Sequence, residues 1–268
     1  MTELPRTVGT VGAGNMAEAI LHGLLQAGLR PDQLMASDPD PARREHVTTH
    51  LGVPTTDSNA EVSAFAELVV LAVKPGQLEA AASTLPRDSG PLFVSIAAGV
   101  TLATLRRHLG ASARVVRAMP NTPALIGEGI TAIAADPAAD PADLERAESV
   151  LRAVGKVLRV PESQLDPVTG LSGSGPAYVY LFIEALTEAG IHEGLSAAAA
   201  RDLAVQTTLG AARMVQTSGE HPAVLRERVT SPGGTTVAGL AALEDGGLRA
   251  AIMAAVRAAT ARSRELGN

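Results

Sequence analysis

The chain has no cysteine and no tryptophan, and only 2% of its 268 residues are aromatic. Without cysteine there is no disulfide framework, no thiolate zinc site and no thiol nucleophile. With so few rings, the core must be aliphatic and alanine-rich. Lysine is scarce as well: Lys74 and Lys156 are the only two among 22 basic residues. The net charge of −6 gives no general attraction for polyanions, and no basic patch stands out, so nucleic acid is not an expected partner. No stretch reaches the roughly 18–20 apolar residues of a membrane span, and the first twenty residues carry charges and glycines where a signal peptide needs an apolar run. A cytoplasmic protein without membrane association is expected. The six histidines show no metal-ligand spacing, so no metal is expected either.

Hydrophobic residues make up 46% of the chain and charged residues 19%, a composition that folds into one large or two ordinary domains. The stretch "RTVGTVGAGNMAEAILHGLLQAG" reads as strand, turn and helix. Its turn, Gly12-Ala13-Gly14-Asn15-Met16-Ala17, has the GxGxxA form. Gly12 permits the tight turn, Gly14 lets backbone approach a pyrophosphate, and Ala17 lets helix pack on strand. Such a motif is weak alone, because glycine turns between strands and helices are common. The following β-prone run ends in Asp38, about 20 residues on, where an acid usually meets the adenosine ribose.

Further β-branched runs at 67–75, 91–99 and 114–123 alternate with helical segments, which predicts a parallel sheet covered on both faces. Ligands of such sheets bind beyond the strand carboxyl ends, where Lys74, Ala97, Ala98, Gly99 and Asn121 would lie. Lys74 suits either a solvated strand end or the nicotinamide side of the cofactor; Asn121, between prolines, suits either a turn or the same cofactor edge. From about Pro161 the β-like runs cease and helical segments follow. One of them, "GPAYVYLFIEALTEAG", is apolar nearly all round, which predicts burial against a second subunit. Late in this half, "VTSPGGTT" (229–236) is a glycine turn framed by hydroxyls. It has no lysine after its glycines, so it is not a phosphate loop, and a plain helix-to-helix connection is the bland reading. The serine of "LSGSGPAY" lacks the GxSxG frame of a hydrolase elbow.

The ordered blocks "GAGNMAEAI", "LAVKP", "SIAAGVTLATL", "VVRAMPNTPALIGEG", "GLSGSGPAYVY" and "VTSPGGTT" together resemble pyrroline-5-carboxylate reductase along nearly the whole chain. The resemblance implies an α/β Rossmann-type doubly wound sheet (1–161) followed by an all-α dimerisation and substrate-binding domain (162–268). It implies a homodimer, often assembled into a decamer, that reduces (S)-1-pyrroline-5-carboxylate to L-proline with NADPH or NADH. On the family pattern Gly12 to Ala17, Asp38, Asn59, Ala72, Val73, Lys74, Pro75 and Ala97 to Gly99 line the cofactor site. Glu162, Ser231, Gly233, Gly234, Thr235 and Thr236 surround the substrate, with Thr236 beside the reacting nitrogen. Departures are Gly76, Thr235 and Arg228, where larger, smaller and amide side chains are frequent in the family; Thr235 bears on substrate affinity rather than reaction type. Asp38 favours NADH, whereas Arg43 and Arg44 at the start of the next helix favour a 2′-phosphate, so cofactor preference stays open. Two rival readings remain. A β-hydroxy-acid dehydrogenase needs a catalytic lysine in its second half, and none follows Lys156. An NAD(P)-binding redox sensor would bind cofactor without turnover.

Overall fold

The computed structural model of the chain describes residues 4–88 and 90–267; residues 1–3, 89 and 268 of the two expected domains lie outside this description. Eight strands form one sheet: β1 (Val8–Val11), β2 (Leu34–Ser37), β3 (Thr55–Thr56), β4 (Leu68–Leu71), β5 (Leu92–Ser95), β6 (Val115–Met119), β7 (Gly129–Ala135) and β8 (Gly155–Arg159). Their order is β3-β2-β1-β4-β5-β6-β7-β8. Chain order reverses between β1 and β4, and the crevice at such a reversal is where doubly wound sheets take ligands. All pairings are parallel except β6 with β7. That antiparallel step was not foreseen from the β-prone runs.

Helices α1 (Asn15–Gln26), α2 (Pro41–Leu51), α3 (Asn59–Phe65), α4 (Leu78–Ala82), α5 (Leu102–Leu109) and α6 (Pro141–Arg152) connect the strands. β1, β4 and β5 are buried at every position, as strands covered on both faces must be. Two clusters make the core. Ile20, Leu21, Leu24, Val116, Val150 and Leu151 belong to one, and Val62, Phe93, Leu105 and Leu109 to the other.

A short α7 (Leu165–Val168) and a wide turn at Thr169–Gly173 lead into α8 (Gly175–His192), followed by α9 (Ala197–Ser218), α10 (Pro222–Arg228), α11 (Thr235–Asp245) and α12 (Leu248–Gly267). The chain divides into two compact units. One runs to Ser174 and takes back the end of α12 from Arg257; the other is Gly175–Val256. No helix among the described residues is long and apolar enough to cross a membrane.

Within Gly175–Val256 the α8–α9 pair packs through small residues; a Cβ added at Gly190 would lie 3.1 Å from Ala200 Cβ. Beyond that contact, Ala200 and Ala204 are the only buried hydrophobic residues of this unit among those described, while Leu181 is 65% and Tyr180 61% exposed. Each large aliphatic side chain left in water forgoes about 1.5–3 kcal/mol. The apolar circumference of α8 therefore calls for a partner chain. Leu181→Asp is expected to shift the protein toward monomer in sedimentation equilibrium and to lower its Tm; a folded monomer for the unaltered chain would overturn this.

Candidate functional site

The start of α1 is built by three strand ends. Gly12 has φ +94°, and a Cβ there would stand 2.8 Å from the Ala72 carbonyl oxygen, so the end of β1 meets the end of β4 only as glycine. The Gly12 N–H donates to Ser37 O at 2.8 Å, and Ala72 N–H to Val11 O at 2.8 Å. Gly14 caps α1 without any side-chain bond, and a Cβ at Gly14 would meet nothing within 4 Å. Ala17 is fully buried against the sheet. The result is an open helix N-terminus at the sheet's reversal point, which fits a dinucleotide pyrophosphate.

Side chains brace this turn from both sides. Asp38 Oδ2 accepts from Ala13 N–H at 2.9 Å and Oδ1 from Asp40 N–H at 3.0 Å. Arg43 Nε donates to Ala13 O at 3.0 Å, and its Nη2 lies 2.9 Å from Glu18 Oε2. The other Glu18 oxygen lies 2.9 Å from His46 Nε2. Burial by itself raises the Glu18 carboxyl, but hydrogen bonds from His46 and Arg43, with their charges, outweigh it and hold the group below its ordinary value.

Asn59 sits behind the turn, accepting from Ser37 Oγ at 2.7 Å and donating to Thr84 Oγ1 at 3.0 Å. Ala72 and Val73 touch Gly12, whereas Lys74 and Pro75 are exposed at the strand end. Ala97, Ala98 and Gly99 follow β5; Gly99 has φ +77° and packs against Leu266 of α12. Asn121 follows β6 and is nearly buried. Its Nδ2 donates to Ser172 O at 3.1 Å and its Oδ1 accepts from Ile130 N–H at 3.0 Å, so both ends of the amide are engaged within the protein.

Glu162 has partners that sequence reading missed. Its Oε1 accepts from Leu102 N–H at 2.6 Å, at the start of α5, and from Arg117 Nη1 at 3.2 Å. Arg117 is buried in β6, and its Nη2 lies 3.5 Å from Asp166 Oδ1, which also accepts from Ser263 Oγ at 2.8 Å. An arginine inside the apolar run "VVRAM" was the available signal, since a buried guanidinium needs carboxylates.

The hydroxyl-framed turn connects α10 to α11. Gly233 has φ +67° with open space where a Cβ would be. Gly234 caps α11 with no side-chain bond, and Ser231 Oγ lies where a Gly234 Cβ would fall. Thr235 and Thr236 open the helix, Thr236 half-buried. The contrast with other helices is informative. Asp40, Ser58, Thr101, Asp140, Ser196 and His221 cap α2, α3, α5, α6, α9 and α10 with their side chains. α1 and α11 instead begin on glycines with first-turn N–H groups left open.

Residues 162–266 match the family described as pyrroline-5-carboxylate reductase dimerisation, and residues 7–99 match NADP oxidoreductase coenzyme F420-dependent. The chain is 46% identical to the pyrroline-5-carboxylate reductase of Synechocystis sp. over 97% of its length and 98% of that protein's. A solved pyrroline-5-carboxylate reductase from Coxiella burnetii superposes with a TM-score of 0.90 at 38% identity, covering 98% of this chain and 99% of the other. The Plasmodium falciparum pyrroline carboxylate reductase, solved with NADP bound, gives 0.88 at 31% identity over 100% of both chains.

Two stability outcomes follow from these bonds. The double variant Glu162→Gln/Asp166→Asn leaves Arg117 buried without a counter-charge and is expected to cost about 3–5 kcal/mol in urea unfolding. Because the folded Glu18 carboxyl is depressed, its contribution is present above the ordinary value of about 4.3 and fades as pH falls through the folded value. Glu18→Gln should therefore be less stable than the unaltered chain at pH 7, with the gap closing in unfolding curves below about pH 4.

Proposed function

The chain belongs to the pyrroline-5-carboxylate reductase family, and we propose that its two uncapped glycine turns divide the work of the reaction between them. The protein is an NAD(P)H-dependent oxidoreductase that reduces pyrroline-5-carboxylate to proline, in proline biosynthesis. It self-associates through its helical half.

The observation that carries the division of labour is the pair of N-termini at α1 and α11, which follow Gly14 and Gly234 with no side-chain cap, whereas six other helices are capped by side chains. Gly12 to Ala17 form the pyrophosphate turn, with the Gly12 and Ala13 N–H groups given to Ser37 O and Asp38 and those from Gly14 onward facing the phosphates; Asp38 lies at the ribose and Asn59, Ala72 to Pro75, Ala97 to Gly99 and Asn121 along the rest of the cofactor. When bound, the reduced nicotinamide supplies the hydride. The substrate is a five-membered cyclic imine bearing one carboxylate. Around this turn the Gly234 N–H is given to Ser231 O at 3.0 Å, so Gly233 and Thr235 offer their N–H groups to that carboxylate without a cationic side chain, and Ser231 adds a hydroxyl. Glu162 has Oε1 engaged by Arg117 and Leu102, so Oε2 is its atom available to substrate.

Hydride on the imine carbon leaves an electron pair on nitrogen, which must meet a proton to give the secondary amine of proline. The nitrogen accepts that load only when protonated or strongly hydrogen-bonded. The Thr236 hydroxyl is too weak an acid to be the proton source near neutrality, so it orients the ring by a hydrogen bond to nitrogen. The proton comes with the protonated substrate or through water.

In this reading the dimerisation and substrate-binding half begins at Glu162, ahead of the division of the compact units after Ser174. We further place the enzyme in the cytoplasm, where reduced nicotinamide cofactors turn over. Assembly of these dimers into a decamer is part of the same reading, by the family resemblance. In this arrangement each centre takes its α11 turn by virtue of dimerisation. Thr236→Ala is expected to lower kcat/KM for pyrroline-5-carboxylate, followed by nicotinamide absorbance, by roughly 1–3 kcal/mol of transition-state stabilisation. Full retention of kcat/KM would remove Thr236 from the mechanism.

A further inference from the structure

The carboxyl end of β2 gathers more charge than hydride transfer requires. Asp38 is held there by the Ala13 and Asp40 N–H groups. Each of its oxygens accepts one of these bonds and keeps a further acceptor direction. Asp40 caps α2 through Ala42 N–H at 2.9 Å. Arg44 Nη1 donates to Asp38 O at 2.7 Å and Pro39 O at 3.1 Å. Arg43 lies back on the Ala13 carbonyl, paired with Glu18, whose second oxygen faces His46. Ala13 thus gives its N–H to Asp38 and its carbonyl to Arg43, which clamps the glycine turn between β2 and α2.

The two nicotinamide dinucleotides differ only by a phosphate on the adenosine 2′-oxygen. In doubly wound sheets that ribose lies at the end of the second strand. A free 2′-hydroxyl donates to a carboxylate there; a 2′-phosphate needs a guanidinium free to grip it and is repelled by acids. Here three carboxylates, Asp38, Asp40 and Glu18, surround two guanidiniums that are each already engaged by carbonyls. We propose that this chain selects NADH over NADPH, with Asp38 receiving the ribose hydroxyls and Glu18 acting as the positioning residue that withholds Arg43 from a 2′-phosphate. The proposal rests on the reading of Gly12 to Ala17 as the dinucleotide cradle.

Calorimetric titration with NAD⁺ and with NADP⁺, without substrate, tests it. The unaltered protein should bind NAD⁺ at least about tenfold more tightly than NADP⁺. Glu18→Gln should raise the NADP⁺ affinity relative to that for NAD⁺ about threefold or more, and adding Arg43→Ala should erase that gain. Asp38→Ser is an independent arm that leaves the Glu18 pair intact: it should weaken NAD⁺ and spare NADP⁺. Tighter NADP⁺ binding by the unaltered protein, an unchanged ratio in Glu18→Gln, or equal loss of both dinucleotides in Asp38→Ser would overturn the proposal. If both dinucleotides bind alike, only the selection fails; if neither binds, the cradle reading falls with it.

Discussion

The helical half of this protein cannot bury its own apolar surface. Between Gly175 and Val256 the described hydrophobic residues that reach full burial are two alanines, whereas Leu181, Phe182, Leu203, Leu209 and Met214 all face outward in a single chain. A helix that is apolar around its whole circumference is not satisfied by one neighbour, and α9 covers only part of α8. Folding of this half and association with a second chain are then one event, whose free energy depends on protein concentration. The α11 turn lies within the same unit. In the proposed reaction, the amides that meet the substrate are consequently ordered by assembly, and activity cannot be separated from the oligomer.

The sheet half obeys a different rule. Its two aliphatic clusters close over both faces of the strands within one chain, and the glycine turn at its reversal point is fixed by backbone bonds from β2 and β4. The buried charge within it is organised around arginine: Arg117 between Glu162 and Asp166, and Arg114 beside the fully buried Asp143. Pairs of this kind contribute little net stability compared with an apolar replacement, but they penalise any arrangement in which the partners are apart. The Arg117 set spans β6, α7 and the last turns of α12. It fixes where the chain's end packs, next to the Gly99 turn.

Features governed by local stereochemistry were legible in the sequence. The GxGxxA turn at Gly12 and the glycine turn at Gly233 each follow from what one residue type permits. The alternation of apolar runs foretold β1, β2, β4, β5 and β6, but not the two-residue β3 (Thr55–Thr56). β7 and β8 were less visible, because "GITAIAA" is alanine-rich and β8 is an edge strand with several exposed positions. Partnerships between distant side chains were not legible. Glu162 meets Arg117 across 45 positions, and Arg43 meets Glu18 across 25. Spacing carries no information about such pairs. The resemblance placed Glu162 near substrate, yet nothing in its neighbours announced that the same carboxylate also caps α5.

A chain of net charge −6 that handles an anionic cofactor and an anionic substrate would be expected to reserve arginines for them. Instead Arg43, Arg114, Arg117, Arg152 and Arg159 are paired with the protein's own carboxylates. In the proposed site the anions are left to helix N-termini. Backbone N–H groups do not titrate and are fixed by the fold, so they need no reorganisation when charge moves in the reaction. They also grip less tenaciously than a desolvated guanidinium, which suits a catalyst whose product keeps the substrate's carboxylate and must still leave. In that proposal, neutral donors at both turns let one acidic protein bind two anions without holding either too long.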